Sequence, residues 1–246
     1  TFVISFSRVF GNIILFLRAG SGPVSMQKLN MGGRSEPFSC VIPAGSVEAE
    51  DDETLDTAAS SWSVTYQFIL LGFEHILPEG LDHILFVLGL FLLCLKMRPL
   101  VWQVTAFTVA HSITLSLAVF DVVRLPGSIV EPLIAASIVF VAVENLFTSK
   151  LHAWRPIVVF LFGLLHGMGF ASVLMDLGIP KGSYVNALAS FNVGVELGQL
   201  AVIAIAFVLV GWWREREWYR KRVVIPASAL IAAIGLYWFV ERVLPA

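Results

Sequence analysis

Three side chains that can ligate a metal ion, His75, Asp82 and His83, lie just before a long apolar run. Ionisable side chains at or inside a membrane span are costly and are usually functional. Pro78 and Gly80 separate His75 from the other two, which predicts a break in the helix that lets His75 fold back toward them. Two imidazoles and one carboxylate favour a divalent ion of intermediate softness, such as nickel, cobalt or zinc.

The same stretch also has a purely structural interpretation. Asp82 falls in the first turn of the following helix, where the helix dipole and the free N–H groups favour a carboxylate. The two histidines would then be interfacial residues that hydrogen-bond to water. The stretch alone leaves both interpretations open.

Further polar side chains lie inside later apolar segments. His111, His166 and Glu196 occupy three different segments, and glycines beside His166 and Glu196 favour close approach of the helices. Because an ionised Glu near the bilayer centre costs at least ~2.5 kcal/mol, we expect these three side chains to converge on one buried site. Glu144 lies nearer the inner end of its segment, where it either offers an exit for an ion or extends toward Lys150.

Membrane helices must position these residues. The chain of 246 residues is 57% hydrophobic and 14% charged, whereas soluble domains carry about 25% charged residues. Because backbone polar groups in lipid must be satisfied within their own segment, we predict an all-α polytopic transmembrane bundle of about six to seven helices. The segment 64–77 is short for a span and could re-enter the membrane. The expected full-length spans are residues 80–97, 100–120, 128–147, 156–177, 184–213 and 223–243.

Two regions divide the chain: an N-terminal extension, residues 1–63, and a transmembrane domain, residues 64–246. The apolar stretch 2–17 predicts an interfacial helix or a terminal span. A flexible linker follows, with a solvated acidic run at 48–53. This extension is the expected contact for another membrane protein. The two cysteines, Cys40 and Cys94, do not form the pattern of a disulfide framework.

Loop charges predict the orientation. Basic residues concentrate in alternate loops, around Lys96, Lys150 and the stretch 214–222. The positive-inside rule places those loops in the cytoplasm, and the 78–82 segment outside, for a protein of the bacterial inner (plasma) membrane. Outside one loop the sequence has no basic patch large enough to form a binding face, so nucleic acid is not an expected partner.

Five motifs in order resemble the HupE/UreJ family. They are His75 followed by GLDHILF at 80–86, AHSITL at 110–115, VEN at 143–145, FGLLHGMGFA at 162–171 and FNVGVELGQ at 191–199. The resemblance extends from about residue 64 to the C-terminus. It implies a membrane protein associated with hydrogenase or urease maturation that acts as a nickel or cobalt permease.

On that resemblance the function is expected to be transport, not enzymatic catalysis. His75, Asp82 and His83 would capture Ni²⁺ or Co²⁺, with Zn²⁺ as a further candidate, at an extracytoplasmic mouth. The ion would then pass to His111, His166 and Glu196 and leave by Glu144. Two alternatives remain: an intramembrane zinc-dependent hydrolase, and a non-catalytic accessory subunit of a membrane complex.

Overall fold

The structure is a computed structural model that describes residues 53–94, 96–123, 125–170 and 184–244, with side chains from Val64 onward and at Trp62. It also describes the backbone of three strands within residues 2–29. Three features named above lie outside the described residues: Cys40, the acidic run before Glu53, and the last third of the predicted 156–177 span.

The N-terminal strands form a small antiparallel sheet of order β1-β2-β3: β1 is Phe2–Val9, β2 is Asn12–Ala19 and β3 is Ser25–Leu29. Strands β1 and β2 pair from Phe2 opposite Ala19 to Val9 opposite Asn12. The expectation of a helix or a span at 2–17 is therefore wrong. The β-branched and aromatic residues of this stretch favour strands.

From Glu53 onward the described chain is helical, which confirms the predicted all-α transmembrane bundle. The seven α-helices in the described ranges are α1 (Glu53–Ile76), α2 (Leu81–Leu93), α3 (Met97–Val119), α4 (Gly127–Phe147), α5 (Arg155–Gly169), α6 (Tyr184–Val210) and α7 (Ile225–Val243). A 3₁₀ turn, Gly211–Trp213, extends α6, and a π turn, Arg220–Val224, precedes α7.

Four of these helices, α3, α4, α6 and α7, are long and apolar enough to cross a membrane. The pair α1 and α2 passes the same test only when taken together, across a bend of 70°. The expected full-length span at 80–97 is thus wrong, because α2 has only 13 residues. Pro78 and Gly80 cause the break, since neither suits the interior of a helix.

Helix α1 packs in parallel with α6. A Cβ on Gly72 would collide with the carbonyl oxygen of Phe191, one on Gly194 with that of Ile69, and one on Gly198 with the side chain of Ile76. Thr65 hydrogen-bonds to Asn186 near the start of α6, and Ile76 contacts Gly198 further along both helices, so the two helices run in the same direction. Helix α1 therefore enters the bundle at the end where α6 begins. Ile76, its last residue, reaches the middle of α6.

Helix α2 continues from that depth to the opposite end of the bundle. The Arg214 guanidinium, which follows α6, donates to the carbonyl oxygens of Cys94 and Phe91 at the end of α2. Helices α1 and α2 therefore cross the bundle as one broken span. The turn between them lies about halfway along the bundle and not at its outer end, contrary to the expectation for the 78–82 segment.

Basic residues collect at the end where α2, α4 and α6 finish, which we call the basic face. There Arg220 donates to the carbonyl oxygens of Leu146 (3.1 Å) and Thr148 (2.8 Å) at the end of α4. Arg214 does the same for α2. Cations at helix C-termini complement both the unpaired carbonyls and the helix dipole.

Candidate metal site

Four of the chain's five histidines form one buried cluster, the histidine cluster: His75 from the end of α1, His83 from the start of α2, His111 from α3 and His166 from α5. Their side chains are almost fully shielded, with exposures of 0 to 6%. The break between α1 and α2 creates the cluster, because it directs the ends of both half-helices to the same place. The fifth histidine, His152, is exposed and stacks on Trp154.

The spacing of the rings suits shared coordination of one ion. Ring centroids are 4.8 Å apart for His75–His83, 6.0 Å for His75–His111, 5.9 Å for His83–His111 and 4.9 Å for His83–His166. An imidazole bound through one nitrogen at ~2.1 Å has its centroid about 3.2 Å from the metal, so two tetrahedral ligands have centroids roughly 5.2 Å apart.

The ligand nitrogens of His75, His83 and His111 all lie within 4.8 Å of one another. Tetrahedral coordination brings such nitrogens to about 3.4 Å. The difference is small enough for rotation of the side chains to close it.

Each of three imidazoles has one nitrogen held by an oxygen acceptor. Nδ1 of His83 lies 2.9 Å from Oδ1 of Asp82, and Nδ1 of His166 lies 2.9 Å from the carbonyl oxygen of Phe162. Nδ1 of His111 lies 3.3 Å from Oδ1 of Asn192, whose amide nitrogen donates to another carbonyl at 2.7 Å. Because these oxygens accept, each Nδ1 carries the proton and Nε2 keeps a free lone pair.

Among the described residues, those lone pairs have no hydrogen-bond partner. Nε2 of His83, His111 and His166, and both ring nitrogens of His75, are buried without a hydrogen bond. A buried polar atom without a partner costs about 1–3 kcal/mol. Histidines that bind a metal usually have this arrangement: one ring nitrogen is free for the ion, and the other is hydrogen-bonded to an oxygen.

Close backbone approach allows α3 and α5 to bring their histidines together. A Cβ on Gly163 would lie 2.5 Å from the carbonyl oxygen of Phe107, so only glycine fits there. Gly167, beside His166, packs in the same way against the carbonyl oxygen of His111. The two contacts advance together, so α5 runs parallel to α3.

Aromatic rings enclose the histidine cluster. Phe170 and Phe191 stack with centroids 5.1 Å apart, and Phe170 lies 4.0 Å from His75. The ring centroids of Phe86 and Phe107 are 5.1 Å apart. Phe86 lies one turn after His83 on α2, and Phe107 lies one turn before His111 on α3, so both rings are on the side of the cluster that faces the basic face. All four phenylalanines are buried, so the cluster is shielded from bulk water in the structure.

The cluster combines residues that the sequence assigned to two separate sites. His75 and His83 were expected at an outer mouth, and His111 and His166 deeper in the membrane, yet His83 is adjacent to both of the latter. Asp82 contacts the cluster through His83, accepting from its ring and from its backbone N–H at 2.8 Å. Its side chain is 25% exposed.

The two remaining predicted ligands contact other residues. Glu196 accepts a hydrogen bond of 2.7 Å from the hydroxyl of Thr105. Glu144 lies 3.5 Å from the Arg155 guanidinium near the basic face, and thus pairs with a residue other than Lys150, the partner of its structural interpretation. The structure therefore gathers four histidines, with Asp82 beside them, and places the two glutamates elsewhere.

Two residues that support the site have only weak sequence signals. Asn192, which holds His111, belongs to a polar stripe with Glu196 and Gln199 at helical spacing, where packing between helices is the simpler explanation. Phe162 contributes only its backbone carbonyl, which the sequence cannot reveal.

A family model described as HupE / UreJ protein matches residues 50–242, most of the chain. No curated protein and no solved structure shows significant similarity to it. The match includes all four clustered histidines and every described helix except the last residue of α7. Given this match and its apolar helices, the chain is an integral membrane protein and belongs to the HupE/UreJ family.

Proposed function

We propose that this protein transports a divalent transition-metal ion, nickel or cobalt, across the membrane and binds it at the histidine cluster. The observation that carries the proposal is the set of buried imidazole nitrogens without partners, contributed by α1, α2, α3 and α5. Membership in a family linked to nickel and cobalt handling supports the same conclusion. Zinc is the third candidate, because imidazole ligands suit all three ions.

The donor set argues against the hard cations. Magnesium and calcium prefer oxygen ligands, and magnesium keeps much of its water. The histidine cluster offers nitrogen donors in a site walled by phenylalanines. Asp82 supplies negative charge beside His83 and fixes the orientation of that ring, a pairing that strengthens metal ligation by histidine.

The broken span gives transport a structural basis. Many transporters bind their substrate near the membrane midplane at discontinuous helices. His111 lies 14 residues after the start of α3 and eight before its end, or about 21 Å and 12 Å along the helix axis. Enclosed between aromatic pairs, the cluster corresponds to a closed state, and movement of the half-helices would open it to either side.

The membrane potential can drive the ion toward the cytoplasm. A divalent cation that moves inward gains ~4.6 kcal/mol per 100 mV, twice the value for one charge. The positive-inside rule assigns the basic face to the cytoplasm. Single cysteines at Val122 and Glu217, in a background without native cysteines, test that assignment. Only position 122 should react with an impermeant thiol reagent in intact cells, and the reverse pattern would invert the orientation.

Metal titration of the purified protein tests the proposal. Co²⁺, Ni²⁺ and Zn²⁺ are added to the wild type, to His111→Gln and to His152→Ala, which removes the exposed histidine. We expect one tight ion, bound far more weakly by His111→Gln and unchanged in His152→Ala. The same proteins in liposomes should show ion uptake that follows the same order.

Equal affinity in the wild type and in His111→Gln would refute the histidine cluster as the metal site. Tight zinc that never exchanges, without uptake of any ion, would refute transport. That second outcome would favour the intramembrane hydrolase, in which zinc stays bound as a cofactor.

A further inference from the structure

A polar seam leads from the histidine cluster toward the basic face, between α3 and α6. Its first contact joins His111 to Asn192, and its second joins Thr105 to Glu196. Because α3 begins at the basic face, Thr105 lies nearer to that face than His111 does. The two contacts are six residues apart on α3 and four apart on α6, which separates them by about 6–9 Å along the helix axes.

Two side chains in this seam carry buried polar atoms without partners. Oε2 of Glu196 is buried and makes no hydrogen bond within the described part of the chain, although Oε1 accepts from Thr105. Gln199, one turn further along the same face of α6, is 0% exposed, and in the described ranges neither its amide oxygen nor its amide nitrogen has a partner. Among the described residues, no cation pairs with Glu196.

Such a group of atoms is costly unless something binds it. Each unsatisfied buried polar atom costs about 1–3 kcal/mol, and an unpaired buried charge costs more. The tight helix packing around Gly198 argues that the polar stripe is not simply a poorly packed interface.

We propose that Glu196, Thr105 and Gln199 form a second, weaker site for the same divalent cation, which receives the ion from the histidine cluster and releases it toward the basic face. This inference rests on the transport function proposed above. The second site offers oxygen donors, which hold borderline metals less strongly than imidazoles do. Conduction needs such weaker sites, because an ion that binds too tightly cannot leave.

Charge balance supports this pairing of sites. Asp82 at the first site and Glu196 at the second each bring one carboxylate, so the two together can balance one divalent ion in a medium of low dielectric constant. The seam thus provides a carboxylate on the cytoplasmic side of the histidine cluster, where the membrane potential moves the ion.

The experiment compares Glu196→Gln with Glu131→Gln, a matched carboxylate-to-amide change at an exposed position of α4. Each variant is purified, titrated with Co²⁺ and examined by its cobalt absorption spectrum, then reconstituted in liposomes for uptake. For Glu196→Gln we expect an unchanged spectrum, affinity for the tight ion within about twofold, and uptake reduced at least about tenfold, or ~1.4 kcal/mol. Glu131→Gln should match the wild type in all three measurements.

A further measurement separates this inference from the proposed function. At high Co²⁺ the wild type should bind a second, weak equivalent that Glu196→Gln lacks, and His111→Gln should lose the tight equivalent while keeping the weak one. Normal uptake by Glu196→Gln, or a cobalt spectrum altered as in His111→Gln, would refute a separate second site. If the wild type bound no tight Co²⁺ ion but still bound the weak one that depends on Glu196, the proposed function alone would be refuted.

Discussion

Replacing Asp82 by Asn should weaken metal binding at the histidine cluster without abolishing it. We expect Asp82 to act as a positioning residue and not as a ligand, because its Oδ1 accepts from the ring Nδ1 of His83 at 2.9 Å. An amide oxygen can still accept that hydrogen bond, so the ring keeps its orientation and its free Nε2. Only the negative charge is lost.

The size of the effect follows from the distance between that charge and the ion. The hydrogen bond, the width of the ring and a metal–nitrogen bond place the carboxylate about 6 Å from a bound divalent ion, an attraction of ~1.4 kcal/mol at the dielectric constant of water and ~5.5 kcal/mol at an effective value of 20. Loss of such a carboxylate partner usually weakens metal binding 10–100-fold, or ~1.4–2.7 kcal/mol.

The assay is Co²⁺ titration of the wild type, Asp82→Asn and His83→Ala under one set of conditions, with absorption spectra at saturation. Asp82→Asn should bind 10–100-fold more weakly than the wild type, with the same spectrum, whereas His83→Ala should lose a ligand and change the spectrum. If Asp82→Asn matched His83→Ala in both affinity and spectrum, Asp82 would be a direct ligand. Unchanged affinity would show that its charge does not reach the ion.

Three other perturbations follow from the same contacts. Gly72→Ala should lower the melting temperature in detergent, because its Cβ would collide with a backbone carbonyl of α6, while Gly127→Ala meets only a flexible side chain and should change it little; equal effects would contradict the packing of α1 on α6. Arg155→Met should lower the free energy of unfolding by ~3–5 kcal/mol, because it leaves Glu144 buried and unpaired. Adding Glu144→Leu should recover most of that loss in denaturant titrations, and no recovery would refute the pairing. Lowering the pH should weaken Co²⁺ binding, because metal and proton compete for the same imidazole lone pairs. Co²⁺ titrations at a series of pH values check this, and affinity that rose as the pH fell would contradict histidine ligation.

The sequence predicts the class of fold and most of the chemistry of the site. Apolar segments of membrane length predict the helical bundle, and the cost of ionisable groups in lipid identifies the four histidines. Pro78 and Gly80 also predict the break that folds His75 back toward His83. The helical bundle and the break are confirmed, because they depend on local composition and on single residues, while metal binding by the histidines stays a prediction.

The depth of a residue in the membrane, and the residue with which its side chain pairs, are harder to predict from the sequence. The expectation of an outer capture site assumed that 80–97 formed a full span, which would have placed His75 at a membrane surface. Its depth instead follows from the parallel packing of α1 on α6, a contact between segments more than a hundred residues apart. For the same reason Glu144 was assigned to a metal path, although its partner, Arg155, comes from the next helix.

The broken span also explains why one cluster replaces the two expected sites. A continuous helix through residues 64–93 would place His75 and His83 eight positions apart, or about 12 Å along its axis, too far for one ion. The bend of 70° brings their ring centroids to 4.8 Å. The same bend positions both histidines at the depth of His111 and His166, so a movement of α1 relative to α2 would separate ligands of a single ion. If the protein transports the ion as proposed, release would require only that the two half-helices move apart, and Glu196, outside the cluster and nearer the basic face, would offer the released ion its next negative charge.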